Sequence, residues 1–244
     1  MSALLELVLV RPKEDGNVGA VARLAKNFGV DRISIVRPRA ALGQEARRRA
    51  MAGLPLLKSA RVVDSFDAAV ADCDLVVGTT DLSTGRSTQY LRRSVSPERL
   101  GEIVRPIVGR VAVVFGPEDN GLDRPQLHRC DLLVHIPARR EFPTLNLSHA
   151  AAIVLYAIHR AQGTENPEST PAPEVQELRG NEKELFLERL RDLAARSGYP
   201  KHKRPGLDLM FRRIFGRATP TESEYRMLLG FAKSIDRYAR RTRG

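Results

Sequence analysis

The sequence predicts an α/β fold, a mainly parallel sheet with helices on both faces, followed by a small all-α module. Three observations predict it. Short Val-, Ile- and Leu-rich runs alternate with helical patterns through residues 1–162. Those runs are continuously apolar, as strands buried on both faces are. From residue 181 onward the apolar residues recur instead at three- and four-residue spacing with charges between them.

The strand candidates are LLELVLV at 4–10, RISIVRP at 32–38, ARVVD at 60–64, DLVVGTT at 74–80, VAVVFG at 111–116 and DLLVHIP at 131–137. Between the first two, Val18, Val21, Ala22, Leu24, Ala25 and Phe28 follow the 3.6-residue period, with Asn17 as the expected N-cap and Gly29 as the stop. Further helices are expected at 43–53, 66–71, 97–108, 123–128 and 146–162. The tail carries about three more, broken by Gly198, Pro200 and Pro205, the last opened by Thr219-Pro220-Thr221 with Glu222 and Glu224 in its first turn. Residues 163–177, GTENPESTPAPEVQE, contain three prolines and no apolar periodicity and read as an extended linker. The organisation is therefore a domain at 1–162, a linker at 163–177 and a helical module at 178–244.

Forty Lys and Arg against 29 Asp and Glu give a net charge of +11, which suits a polyanionic partner, nucleic acid or an anionic membrane surface. The charge is uneven: +6 over residues 1–162, −4 over the linker and +9 over 178–244. A helical module tethered by an acidic linker suits a mobile grip on such a polyanion. The apolar positions of that module are better explained as a bundle core than as a membrane-facing stripe. No apolar run approaches the roughly 20 residues of a membrane span, and the N-terminus lacks a signal-peptide pattern, so a soluble cytoplasmic chain without membrane contact is expected. Cys73 and Cys130 form no CxxC pair and read as buried small hydrophobes. The five histidines make no metal spacing with them, so no metal site is expected and the histidines read as structural or solvated. The absence of GxGxxG after the first strand, of GxxxxGK[ST] and of GxSxG removes support for Rossmann dinucleotide binding, nucleotide hydrolysis and serine hydrolase chemistry.

Four loops after strands hold the residues that suit a ligand. In RPKEDGNVGAVARLAKNFG, at 11–29, a strand turns directly into a helix whose first turn presents Asn17 and Gly19, with Arg23 further along. Free helix amides and a forked guanidinium suit an RNA backbone, and the same residues equally make a capped surface helix with a solvated Arg. VVGTTDLSTGRSTQ at 76–89 offers Thr79, Thr80 and Asp81, and VVFGPEDNGL at 113–122 offers Gly116, Glu118 and Asn120. Each also reads as a tight turn without a ligand. HIPARREFPTLNLSHAAAIVLYA at 135–157 is a long polar connection entering an apolar helix at Asn146.

Taken together and in order, NVGAVARLAKNFG, VFGPEDNGL and PTLNLSHAAAIVLYA resemble the three motifs of the TrmH-like branch of the SPOUT class of RNA 2′-O-methyltransferases. The resemblance covers residues 1–162. The tail, including HKRPGLDLMFRRIFGRATPTESEYRMLLGFAKSI, is similar to the C-terminal extension of tRNA (cytidine/uridine-2′-O-)-methyltransferases of that branch. This implies a C-terminal trefoil knot in the sheet, S-adenosylmethionine as cofactor, tRNA as partner with nucleotide 32 of the anticodon loop as target, and a homodimer with active sites at the subunit interface. It places Thr79, Thr80, Asp81, Gly116, Ile136, Pro143, Thr144 and Leu145 against the cofactor. It assigns Arg23, Asn17, Glu118, Asn146 and Thr144 to catalysis, Thr144 standing where the branch often has Ser. Arg is a poor general base, its pKa exceeding about 12, so Arg23 is expected to orient the phosphate and hydroxyl, with proton removal shared with phosphate or water. A ribosomal RNA methyltransferase of the same branch is the nearest alternative. A non-catalytic RNA-binding dimer is a second, and it predicts damaged cofactor loops where Asn17, Arg23, Glu118 and Asn146 are all present.

Overall fold

The computed structural model describes residues 3–80, 94–139, 141–163, 176–177, 180–218, 220 and 222–241. In chain order the elements are β1 (Leu4–Val10), α1 (Asp15–Asn27), β2 (Arg32–Val36), α2 (Gln44–Ala50), α3 (Leu54–Lys58), β3 (Arg61–Val63), α4 (Phe66–Val70), β4 (Leu75–Thr79), α5 (Pro97–Val104), β5 (Ile107–Val108), β6 (Arg110–Phe115), α6 (Arg124–Arg129), β7 (Leu132–Val134) and α7 (Leu147–Gly163). They are followed by β8 (Gln176–Glu177), α8 (Gly180–Arg196), α9 (Arg204–Ala218) and α10 (Glu222–Arg241).

Six strands pair in parallel in the order β3-β2-β1-β6-β4-β7. The alternation of side chains along each strand feeds two cores. Leu5, Leu7 and Leu9 of β1 join Val113 and Phe115 of β6 on one face, under α1, α5 and α7. Val8 and Val10 join Ala112 and Val114 on the other, under α4 and α6. Both faces are covered, which is why the strands read as unbroken apolar runs. Glu6, the one acid inside β1, is fully buried and accepts from Arg32 at 2.9 Å and Ser34 at 2.6 Å. Cys73 and Cys130 are buried free thiols; burial pushes Cys73 up to about 12 and Cys130 further.

Three local expectations change. The helix expected at 43–53 ends at Ala50, because Met51 takes φ +47° and starts a short turn, Met51–Gly53, that leads into α3. Gly53 there lies so close to α1 that a Cβ would sit 2.1 Å from the Ala22 carbonyl oxygen. The helix expected at 97–108 stops at Val104, and Ile107–Val108 pairs in parallel with Gln176–Glu177 of the stretch read as linker. Asn17 is not a cap: α1 starts at Asp15, with Glu14 at the cap position and no side-chain cap bond. The stop is as expected, Gly29 taking φ +68° while the Val30 amide bonds back to Ala25 at 2.9 Å.

The C-terminal helices are docked rather than loosely tethered. Arg191 bonds Asp208 and Arg212 bonds Glu184, so α9 runs antiparallel to α8. Phe186 meets Tyr225 and Arg196 meets Asp236, so α10 runs parallel to α8. Phe186, Tyr225, Leu229 and Ala232 form the buried core between them. The module attaches through charge. Asp131, just before β7 and 0% exposed, accepts from Lys183 at 2.7 Å, from Arg212 at 3.0 Å and from the Val76 amide at 2.8 Å. Lys183 also donates to the Asp74 carbonyl at 2.7 Å, and both oxygens of Glu184 receive Arg212, at 2.8 and 3.0 Å. At Gly216 a Cβ would stand 2.4 Å from the Asp131 carbonyl oxygen, so α9 approaches the start of β7 as closely as backbones can. The module thus sits at the amino ends of β4 and β7, opposite the strand ends that carry Thr79 and Val134.

Candidate active site

All six strands being parallel, their carboxyl ends share one edge, where ligands of open α/β sheets bind. The four loops singled out above leave β1, β4, β6 and β7, which are neighbours in the sheet order β1-β6-β4-β7. Segments far apart in sequence therefore meet there.

Three of the expected catalytic residues join in one hydrogen-bond chain. Asn17 Nδ2 donates to Glu118 Oε1 at 3.0 Å, and Asn146 Nδ2 donates to Asn17 Oδ1 at 3.0 Å. Asn146 Oδ1 in turn accepts from the Ser148 amide at 2.9 Å and the Ser148 hydroxyl at 2.8 Å, so Asn146 is the residue that caps a helix, α7. A carboxylate only accepts and a backbone amide only donates, so the two ends of the chain fix which way both Asn side chains face. The other Glu118 oxygen accepts from the Lys13 amide at 3.0 Å, while the Lys13 ammonium pairs with Asp119 at 2.5 Å. Lys13 and Ser148 are not singled out by the sequence; nothing local marks them.

Arg23 stands apart from this chain. It is exposed and makes no hydrogen bond or ion pair with the described residues, and it lines an open cleft of about 520 Å³ with Arg48, Arg49, Met51, Ser148 and His149. Ser148 links the cleft to the asparagine chain. Arg48 and Arg49, both held by Glu45, and His149, read from the sequence as structural or solvated, are additions to the site. The first turn of α1 is not the open phosphate cradle the sequence suggested. Asn17 is 7% exposed, and Gly19 faces α2, where a Cβ would stand 2.2 Å from the Ala46 carbonyl oxygen.

At the strand ends expected to meet the cofactor, the Thr79 hydroxyl donates to the Val114 carbonyl at 3.0 Å and the Thr80 amide to the Val134 carbonyl at 3.0 Å, tying β4 to both neighbours. Gly116 is demanded by its own loop, since a Cβ would stand 2.3 Å from the Gly121 carbonyl carbon. Ile136 packs on the core, Pro143 is half-buried, Leu145 is 36% exposed and Thr144 is exposed. Thr79, Thr80 and Gly116 are uncharged and Ile136, Pro143 and Leu145 are apolar, a set of side chains that fits an adenosyl group, whose ring is apolar and whose edges want neutral partners. Asp81 lies outside the described residues. Among the described residues no group of His, Cys, Asp and Glu is arranged to hold a metal, and no helix is long and apolar enough to cross a membrane.

The model of the SpoU rRNA Methylase family matches residues 4–156. The chain is 31% identical over 219 residues to the tRNA (cytidine-2′-O-)-methyltransferase TrmJ of Methanocaldococcus jannaschii, covering 89% of this chain and 94% of that one. It is 30% identical over 248 residues to the tRNA (cytidine/uridine/adenosine-2′-O-)-methyltransferase TrmJ of Pseudomonas aeruginosa, covering 97% and 95%. Among solved structures, TrmJ from Z. mobilis superposes with a TM-score of 0.71 at 27% identity, over 96% of this chain and all of that one.

Proposed function

The chain belongs to the SpoU rRNA methylase family, and from that premise we propose that it is an S-adenosylmethionine-dependent tRNA 2′-O-methyltransferase acting on nucleotide 32 of the anticodon loop. The observation that carries the reading is the chain Glu118–Asn17–Asn146, which joins residues of all three motifs in one site. The relatives named for tRNA align over nearly the whole chain, tail included, which favours tRNA over the ribosomal RNA in the family's description. Those relatives are named for different bases at almost the same identity, so the base accepted at the target follows from contacts that overall similarity does not track.

When bound, S-adenosylmethionine supplies a methyl group already made electrophilic by the sulfonium. Ile136, Pro143 and Leu145, with the ends of β4 and β6 at Thr80 and Gly116, would hold it. The protein's work is positioning. Arg23, free of partners among the described residues, offers forked donors to a backbone phosphate and brings the adjacent ribose hydroxyl into line. Glu118 orients Asn17, Asn17 orients Asn146, and the three hold the loops after β1, β6 and β7 at fixed distances. The 2′-hydroxyl proton leaves to phosphate or water, because an Arg guanidinium keeps its own.

The same reading includes a trefoil knot in the C-terminal half of the sheet and a homodimer with shared active sites. Supporting the first, β6 returns to lie between β1 and β4, and β7 then crosses to the far side of β4. Supporting the second, Ile153 and Tyr156 are exposed at 38% and 55% on α7, the helix that carries most of the third motif. The division into a domain at 1–162, a linker at 163–177 and a basic RNA-binding module at 178–244, in a cytoplasmic enzyme, completes it. Titration calorimetry with S-adenosylmethionine, then methyl transfer to total tRNA, tests the proposal: cofactor binding and tRNA labelling are expected, and absence of both would leave only a non-catalytic RNA-binding scaffold.

A further inference from the structure

We propose that the cleft between α8 and α10 is a phosphate-binding groove for an RNA strand; it rests on the reading of tRNA as substrate. The cleft has a volume of about 480 Å³ and is walled by Arg189, Asp192 and Arg196 on one helix and Lys233, Asp236 and Arg237 on the other, with Gly230 beside them. Four cations face two acids. Arg196 is paired with Asp236 at 2.8 Å, whereas Arg189, Lys233 and Arg237 make no hydrogen bond or ion pair with any described residue.

The distribution matters because the tail's charge is not all available. Lys183 and Arg212 are 7% and 2% exposed and are used in docking against Asp131, so they cannot reach a ligand. Arg189, Lys233 and Arg237 share the cleft between the two parallel helices and remain available to a polyanion. Cations at helix C-termini have a structural use, since they offset the partial negative charge of the last carbonyls, but that effect fades within the last turn. Arg189 lies seven residues before the end of α8 and Lys233 eight before the end of α10, so the helix ends do not account for them. Lys233 and Arg237 are one turn apart, about 6 Å along the axis, close to the separation of successive phosphates on a strand. Gly230 adds to this. A helix-interior Gly is less favourable than Ala, and a Cβ at Gly230 would meet nothing within 4 Å, so packing does not require the glycine; the missing side chain leaves the wall of the groove open to a backbone.

The test uses the full chain. The double variant Lys233→Glu/Arg237→Glu is compared with Lys201→Glu/Lys203→Glu, which makes the same charge change on the turn between α8 and α9. Affinity for a labelled tRNA transcript is read by fluorescence anisotropy across a salt titration, with S-adenosylmethionine binding and thermal unfolding as controls for folding. The cleft variant is expected to lose about tenfold or more in affinity and to lower the slope of log K against log salt by about two, one per cation removed, with the control variant affected much less. Equal losses in the two variants, or wild-type affinity in the cleft variant, would overturn the groove. The functional reading fails separately, if the unaltered protein methylates no tRNA.

Discussion

Asn17 and Glu118 are 101 residues apart in the chain and 3.0 Å apart in the fold. The contact is directional, with the amide donating and the carboxylate accepting, and it determines how Asn17 meets Asn146. Three loops from three strands are registered by two side-chain amides, each of which has both of its polar ends in use.

Asn17→Asp therefore damages more than its size suggests. It replaces the donor facing Glu118 with an oxygen and sets two carboxylates side by side, which one of them answers by holding a proton. Methyl transfer is expected to fall by at least about 100-fold with cofactor affinity retained, as measured by single-turnover kinetics and calorimetry on one preparation.

Arg23→Ala should abolish methyl transfer while leaving S-adenosylmethionine binding nearly intact, since Arg23 lines the open cleft and not the strand ends at Thr80, Gly116 and Ile136. Arg23→Lys is expected to recover little, because a point charge does not reproduce a forked donor. Loss of cofactor binding together with activity would contradict the positioning role.

The docked tail gives a stability prediction. Arg212→Met leaves Glu184 and Asp131 short of a partner, and breaking a buried pair from one side costs about 3–5 kcal/mol. In a chain of this size that lowers Tm by roughly 6 to 20 °C. The double change Arg212→Met/Glu184→Met should cost less than the single, because Asp131 keeps Lys183 and the Val76 amide. Thermal unfolding of the two variants checks the order.

Glu184 also sets an acid limit. Burial works to raise its pKa, but Arg212, with Arg129 and Lys183, holds it down at about 2 against an ordinary 4.5. A carboxyl depressed on folding contributes stability that is fully present above its unfolded value and is lost as pH falls through its folded one. The Tm difference between the unaltered chain and Glu184→Gln should stay constant above about pH 5 and shrink between pH 4.5 and 2.

What the sequence made legible follows from range. Five of the six sheet strands stand out because burial on both faces makes their runs apolar, whereas the edge strand β3, with Val62 58% exposed, is marked only by two valines, and Gly29 announces the end of α1. Asn17 reads as a cap because a cap and a network member look alike locally; only Glu118, from another strand's loop, tells them apart. Asn146 does both jobs. Met51 carries no local sign of its positive φ. Lys183 and Arg212 read as ordinary surface charges, since their partner Asp131 lies 52 and 81 residues away. Asn17, Glu118 and Asn146 meet in one chain while Arg23 stands apart from it, and what fixes the three, the Lys13 amide and Ser148, has no pattern in the sequence to betray it.

Methyl transfer to a tRNA ribose is tested most directly by incubating the protein and S-adenosylmethionine with total tRNA and ribosomal RNA, then mapping every new 2′-O-methyl group. Modification of tRNA at nucleotide 32 of the anticodon loop is expected, lost with Arg23→Ala. Modification confined to ribosomal RNA would contradict it.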